Sequence, residues 1–271
     1  MQYSRASIAG AAIGFSLILI AIVIGTREIG GFLSLEGFMI VIGGSLAVAF
    51  MSFDAHYVIE ALRSIGLMFR RAEVSHENLQ KDLVKIIGWA RIVKDKGLLG
   101  LENEAGRGAI SDPFVKYGID MVVSNYSPEE VRNMMETAAE AAYERSTVPS
   151  RVLMAMASHA PAFGMVGTLV GMVIMLGDLD GDMSGIGSGL AISLLATLYG
   201  VVTARMLYMP AAAKAQQKQE ELRFRNQLIT EGLVLLVANR SPRYIQDRLN
   251  SFLRFESHYD LDGIAYKEVK L

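Results

Sequence analysis

Polar residues thin out four times along the chain, and those gaps set its architecture. Residues 6–25 carry no charge, and residues 185–204 are charge-free as well. Residues 37–53 are equally apolar, and the run extends back through 29–35 with Glu36 as its one acid. Residues 152–177 hold no Asp, Glu, Lys or Arg, and their one titratable group is His159. A hydrocarbon core about 30 Å thick is crossed by roughly 20 apolar residues in a helix, so each run predicts a membrane span.

Between the second and third runs the pattern becomes that of amphipathic helices. Residues 57–69 and 79–92 repeat apolar side chains at three- and four-residue spacing. Ser127-Pro128-Glu129-Glu130 predicts a helix start: Ser127 as N-cap, Pro128 in the first position, Glu130 closing a capping box. That helix is expected to run to about Tyr143. A break is expected at Gly97, with basic residues before it and acids after it. Such a run reads either as a solvated corner or as a docking surface for a charged partner. After the fourth span Pro210 is expected to interrupt the helix. Residues 214–236 then read as an amphipathic helix, 239–242 as a turn and 244–255 as a last short helix.

The pattern predicts an all-α membrane protein with four transmembrane helices. A large helical cytoplasmic segment separates helices 2 and 3, and a helical cytoplasmic tail ends the chain. The expected divisions are 1–53 (spans one and two), 54–151 (the cytoplasmic segment), 152–210 (spans three and four) and 211–271 (the tail).

Composition agrees, with 52% hydrophobic and 20% charged residues in 271 and a net charge of −2. The chain has no cysteine, which removes disulfides, thiolate metal sites and cysteine nucleophiles. No phosphate loop and no His/Asp/Ser cluster with workable spacing is present, so neither an enzyme nor a cofactor is expected. The first span is longer in its apolar part than a signal peptide requires, and it reads as a retained helix. Half of the 26 lysines and arginines fall in 54–151 and most of the others after residue 210. The positive-inside rule therefore predicts both termini and the middle segment in the cytoplasm. The short connection with Asp178, Asp180 and Asp182 fails the EF-hand template, since Met183 replaces the sixth-position glycine. It reads as a solvated loop, and second as a weak attractor of external cations.

In span three Gly164, Thr168 and Gly171 share a face, and in span four Gly189, Ser193, Thr197, Gly200 and Ala204 do. Small faces serve close helix packing in lipid, whatever the function. The two spans run in opposite directions, so Thr168 and Thr197 can lie at one depth. Hydroxyls can ligate a cation or hold a water wire, but they carry no proton at rest. An ion path normally uses an intramembrane carboxylate, and no span has one near its middle. The residues leave two readings open: a packed scaffold, or half of a path whose carboxylate belongs to another chain.

Ile42-Gly43-Gly44-Ser45, Pro161-Ala162-Phe163-Gly164 with Gly167-Thr168, and Leu194-Leu195-Ala196-Thr197-Leu198-Tyr199-Gly200 with Pro210 occur in order. On these motifs the chain resembles, over nearly its full length, the MotA/PomA family of flagellar-stator A subunits. Ser193 departs from the family's usual alanine. The resemblance implies a homopentamer around two copies of a MotB/PomB-type partner, 5:2, whose single helix supplies one aspartate. It implies torque on the rotor protein FliG, and a place in the bacterial inner membrane. It further implies that Thr168, Thr197 and Ser193 line the ion path and that Pro161 and Pro210 are hinge or coupling positions. Gly164, Gly167, Gly171 and Gly200 would pack closely against the partner helix. Lys94 and Glu102, with Arg91 and Glu104, would face the rotor. The transported ion stays open between Na+ and H+. The rival readings are an ExbB/TolQ-type transducer, which has three spans, and a non-conducting scaffold.

Overall fold

The computed structural model describes residues 5–25, 29–69, 76–104, 111–177 and 183–260. Among these no strand occurs, and helices follow one another along the chain: α1 (Arg5–Gly25), a 3-10 turn (Ile29–Phe32), α2 (Leu35–Phe38), a π-helical segment (Met39–Gly43), α3 (Gly44–Ser52), α4 (Ala55–Leu67), α5 (His76–Glu104), α6 (Pro113–Val123), α7 (Pro128–Gly177), α8 (Met183–Val202), a second π segment (Thr203–Tyr208), α9 (Met209–Val237) and α10 (Pro242–Asn250). Four stretches are long and apolar enough to cross a membrane: within α1, across 30–52, in α7, and from 186 onward. The acidic turn with Asp178, Asp180 and Asp182 lies outside the described residues.

The chain forms two compact units. The first joins residues 1–71 with 147–217, and the second joins 72–146 with 218–271. α4, just past span two, packs in the first unit, where Val58 and Ala61 share a core with Val152, Met156, Ala160, Ala196 and Tyr208. Alanines dominate that core, which lets helix backbones approach closely where lipid supplies no hydrophobic drive. α1 contributes almost nothing to it: no residue of its apolar window is buried, and Ile24 is 81% exposed.

The second unit has the core of a water-soluble helical domain. Leu83, Ile86, Ile119, Met135, Leu228, Leu233, Ile245 and Leu249 are fully buried together. Each such side chain contributes about 1.5–3 kcal/mol relative to exposure. Helix ends are well specified. Ser127 Oγ accepts from the Glu130 amide while a Glu130 carboxylate oxygen accepts from the Ser127 amide, the reciprocal bonds of a capping box. Asp112 caps α6 and Ser241 caps α10. Asn125 and Asn239 take left-handed φ values of 62° and 50° at helix C-termini, where asparagine is tolerated.

The break in α5 is present, and Gly97 makes it with φ 67° and ψ −171°, outside the helical region. Three other expectations are corrected. The helix starting at Pro128 does not stop near Tyr143. It runs through Pro149 and Pro161 to Gly177, because 144–151 contains neither a glycine nor an asparagine to close it. Pro210 does not interrupt span four. It is the second residue of α9, directly after the π segment Thr203–Tyr208, and the backbone stays helical throughout. A proline ring crowds the preceding turn and removes a donor, and the wider π turn gives it room. The last helix ends at Asn250, before Phe255, and a single 3-10 turn follows at Phe255–Ser257.

Candidate functional site

Spans three and four lie against each other through their small residues. A Cβ on Gly171 would come within 2.4 Å of Ser193 Oγ and 2.5 Å of the Gly189 carbonyl oxygen. One on Gly167 would meet the Ala196 methyl at 2.3 Å, one on Gly164 the Ala196 carbonyl at 3.0 Å, and one on Gly200 the Ala160 carbonyl at 2.6 Å. The resemblance assigns these four glycines to packing against a partner helix; within this chain they set α7 against α8. What they achieve is an antiparallel approach with backbone nearly touching backbone.

That approach brings the two threonines together. Thr168 Oγ1 lies 2.6 Å from Thr197 Oγ1. Thr168 also reaches the carbonyls of Gly164 and Ser193, each at 3.1 Å, and Thr197 reaches that of Gly164 at 3.4 Å. The pair has two hydroxyl protons and more acceptors than it can use, so one threonine donates to the other while the second donates to a carbonyl. Thr168 is half-buried and Thr197 exposed. Ser193 is different: it is buried, and its hydroxyl is placed to donate to the carbonyls of Thr168, 2.9 Å away, and Gly189, 3.0 Å away. Its hydroxyl bolts the two spans together.

Thr197 sits in an exposed stripe on α8. Leu190, Leu194 and Val201 flank it at helical spacing and are 48%, 64% and 46% exposed. It is the one hydroxyl in that apolar stripe. Pro161 is half-buried, with its Cα 3.1 Å from where a Gly200 Cβ would stand, and its missing N–H frees the Ala157 carbonyl from the helix ladder. Pro210 is exposed.

Sequence reasoning passed over several contacts that hold this arrangement. Phe163 lies against Gly44, where a Cβ would meet its ring at 2.3 Å; Gly43, next to it, faces open space. The Tyr199 hydroxyl donates to the Phe32 carbonyl and accepts from the Ser34 amide, tying span four to the start of span two. Tyr208 is buried with its hydroxyl 3.4 Å from Ser45 Oγ. All these residues except Phe32, Ser34 and Tyr208 stand inside the quoted motifs. The signal was present, but pairings across more than 100 positions leave no local pattern.

Arg91, Lys94 and Glu102 are exposed on α5, with Lys94 before the Gly97 kink and Glu102 after it. Glu104 ends α5, and its side chain lies outside the described residues. Elsewhere in the second unit two arginine–carboxylate networks are formed. Arg225 pairs with Asp82 and Asp112, each at 2.6 Å, and Glu231 with Arg132 and Arg248, each at 2.8 Å. Burial pushes the Asp112 carboxyl up. Arg225 and the amides of Phe114 and Val115 outweigh it, and the group titrates below its ordinary range. Glu231 is likewise held low, with Arg248 and Arg132 overcoming its burial. Among the described residues no cluster of acids and histidines could hold a metal. Glu36, the one acid of span two, is placed to accept from the Ser34 hydroxyl, 3.1 Å away at an exposed position near the span's start.

The fold and the seam define a class: a polytopic helical membrane protein with paired hydroxyls at mid-span and no carboxylate beside them. The chain belongs to the MotA/TolQ/ExbB proton channel family, whose model matches residues 107–254. Borreliella burgdorferi motility protein A is 34% identical over 92% of this chain and 93% of its own. Bacillus subtilis YtxD, an uncharacterised protein, is 35% identical over 90% and 88%. The fold matches that of the flagellar MotAB stator complex from Bacillus subtilis with a TM-score of 0.79 at 23% identity, over 93% of this chain and 95% of that one.

Proposed function

We propose that this chain is the A subunit of a flagellar-motor stator and that it conducts ions only with a MotB/PomB-type partner. The observation that carries the reading is the Thr168–Thr197 pair, 2.6 Å apart on a membrane seam without a carboxylate. Full-length likeness to motility protein A supports the motor over other branches of the family. Four candidate spans favour it over a three-span ExbB/TolQ-type transducer.

In this reading the partner's helix lies along the stripe Leu190, Leu194, Thr197, Val201 and presents its aspartate to the Thr197 hydroxyl. The aspartate takes up Na+ or H+ from outside and releases it inside. The field does about 2.3 kcal/mol of work per charge per 100 mV, several RT per ion. Five copies surround two partners, both termini lie in the cytoplasm, and the complex resides in the inner membrane. Each ion steps the ring, with Pro161 and Pro210 absorbing the change in helix direction. The exposed charges at the α5 kink, Lys94 and Glu102 with Arg91, push FliG together with Glu104.

The test is ion uptake and motility of cells expressing this chain alone, with its partner, and with a partner whose intramembrane aspartate is asparagine. Uptake and swimming are expected with the intact pair alone. Robust conduction by the lone chain would overturn the shared path.

A further inference from the structure

At the basic end of the spans the first unit holds a cavity separate from the threonine pair. A cavity of about 460 Å³ opens between the start of α1, the end of α4, the second π segment and the first turns of α9. One wall is apolar, built from Met68, Phe69 and Met206. Arg205, Lys214 and Gln217 supply most of its polar lining, and Ser7, Pro210 and small residues of α1 and α9 complete it. Among the described residues no carboxylate lines it. The Arg205 guanidinium donates to Met209 Sδ at 3.3 Å, and the Lys214 ammonium to the Gln217 amide oxygen at 3.4 Å. Neither has a carboxylate partner among the described residues, whereas Arg225, Arg132 and Arg248 in the second unit all do. Two cations without acids, beside an apolar wall and at the end of a membrane span, lie where bilayer phosphates are found.

We infer that this cavity is a binding site for an anionic phospholipid. Arg205 and Lys214 hold the phosphate, and Met68, Phe69 and Met206 cover the first part of an acyl chain. The size suits one headgroup with the chain segment next to it. The positive-inside rule puts this end of the spans at the cytoplasmic leaflet, where anionic lipids give basic residues their attraction. The inference rests on the membrane reading and not on the motor. A stator, a transducer or a scaffold with these residues would bind the lipid equally.

The test is native mass spectrometry of the purified complex, titrated with phosphatidylglycerol, with phosphatidylcholine of the same acyl chains, and with inorganic phosphate. Each cation is expected to contribute about fivefold, so the wild type should prefer phosphatidylglycerol by about thirtyfold. Arg205→Gln should lose about fivefold, Arg205→Gln with Lys214→Gln should bring the two lipids to parity, and Arg205→Lys with Lys214→Arg should keep the preference. Equal binding of both lipids by the wild type would overturn the proposal. So would displacement of phosphatidylglycerol by millimolar phosphate, which would mark a site for a free anion. Both outcomes need no variant, so a variant that fails to assemble does not shelter the idea.

Discussion

Removing the two seam hydroxyls separates their packing role from their proposed ionic one. Thr168→Val and Thr197→Val keep side-chain shape and lose the hydroxyl, and with the double variant they close a thermodynamic cycle. The expected coupling in stability is modest. Hydrogen bonds between membrane helices contribute about 0.6 kcal/mol on average and about 1.7 at most. The 2.6 Å separation is short for two hydroxyls, but Thr197 is exposed, so about 1 kcal/mol is expected. The carbonyls of Gly164 and Ser193 that lose a donor are helical and keep their ladder bonds, so no large penalty for an orphaned acceptor adds to it. Ion uptake should respond more strongly. If Thr197 donates to the partner's aspartate, losing a charge-assisted bond of about 1.5–3 kcal/mol lowers the rate roughly tenfold or more. The assays are unfolding of the purified complex and ion uptake into proteoliposomes at equal amounts of assembled protein. The reasoning is refuted if coupling is absent, or if uptake per assembled complex is unchanged in Thr197→Val.

Three further outcomes follow from the packing and the ion pairs. Gly171→Ala should destabilise the complex by about 1–3 kcal/mol, because the new Cβ meets the Gly189 carbonyl and the Ser193 amide. Gly25→Ala, with nothing within 4 Å, should be close to neutral in the same thermal assay. Arg225→Met should cost about 3 kcal/mol by leaving Asp82 and Asp112 unpaired, and adding Asp82→Leu should restore part of it, read as the melting temperature. Acid should weaken the second unit in a set window. Asp112 and Glu231 titrate below their ordinary 3.8 and 4.5, so their contribution is complete above those values and is lost as pH falls through the depressed ones. Stability that stays flat from pH 5 to pH 2 would contradict both assignments.

The four spans, the Ser127/Glu130 capping box, the Gly97 break and the common depth of Thr168 and Thr197 were all legible, because each rests on local spacing. The continuity of α7 through Pro149 and Pro161 was not. Span three was expected to contain Pro161, but nothing local joined it to the helix from Pro128, and packing of Val152, Leu153 and Met156 between the two prolines outweighs the lost hydrogen bonds. The destination of the glycines was also hidden. Gly164 and Gly171 announce that some helix comes close, but a single span's pattern is the same whether the neighbour is α8 or another chain. The Arg225 network joins positions 113 and 143 residues apart and has no local signature.

α7 and α8 spend their small faces on each other, so a partner would meet their larger exposed side chains. In the proposed reading the partner takes the α8 stripe with Thr197 at its centre, and the chemistry of that position sets what the partner must bring. A hydroxyl offers lone pairs to a cation or a proton to an anion, yet it holds no charge of its own near neutral pH. An unpaired charge at mid-bilayer is costly, so a path made of this chain alone would have to strip an ion against two neutral oxygens. A carboxylate on the facing helix changes that balance. It neutralises the entering cation, and Thr197, already coupled to Thr168 at 2.6 Å, can turn its proton toward the ionised carboxylate and its lone pair toward the loaded one. The threonine pair has two proton arrangements: Thr197 donates to Thr168 while Thr168 donates to a carbonyl 3.1 Å away, or Thr168 donates to Thr197 while Thr197 turns to the Gly164 carbonyl at 3.4 Å or to a partner. A lysine or aspartate at position 197 would fix one arrangement, and the seam avoids both.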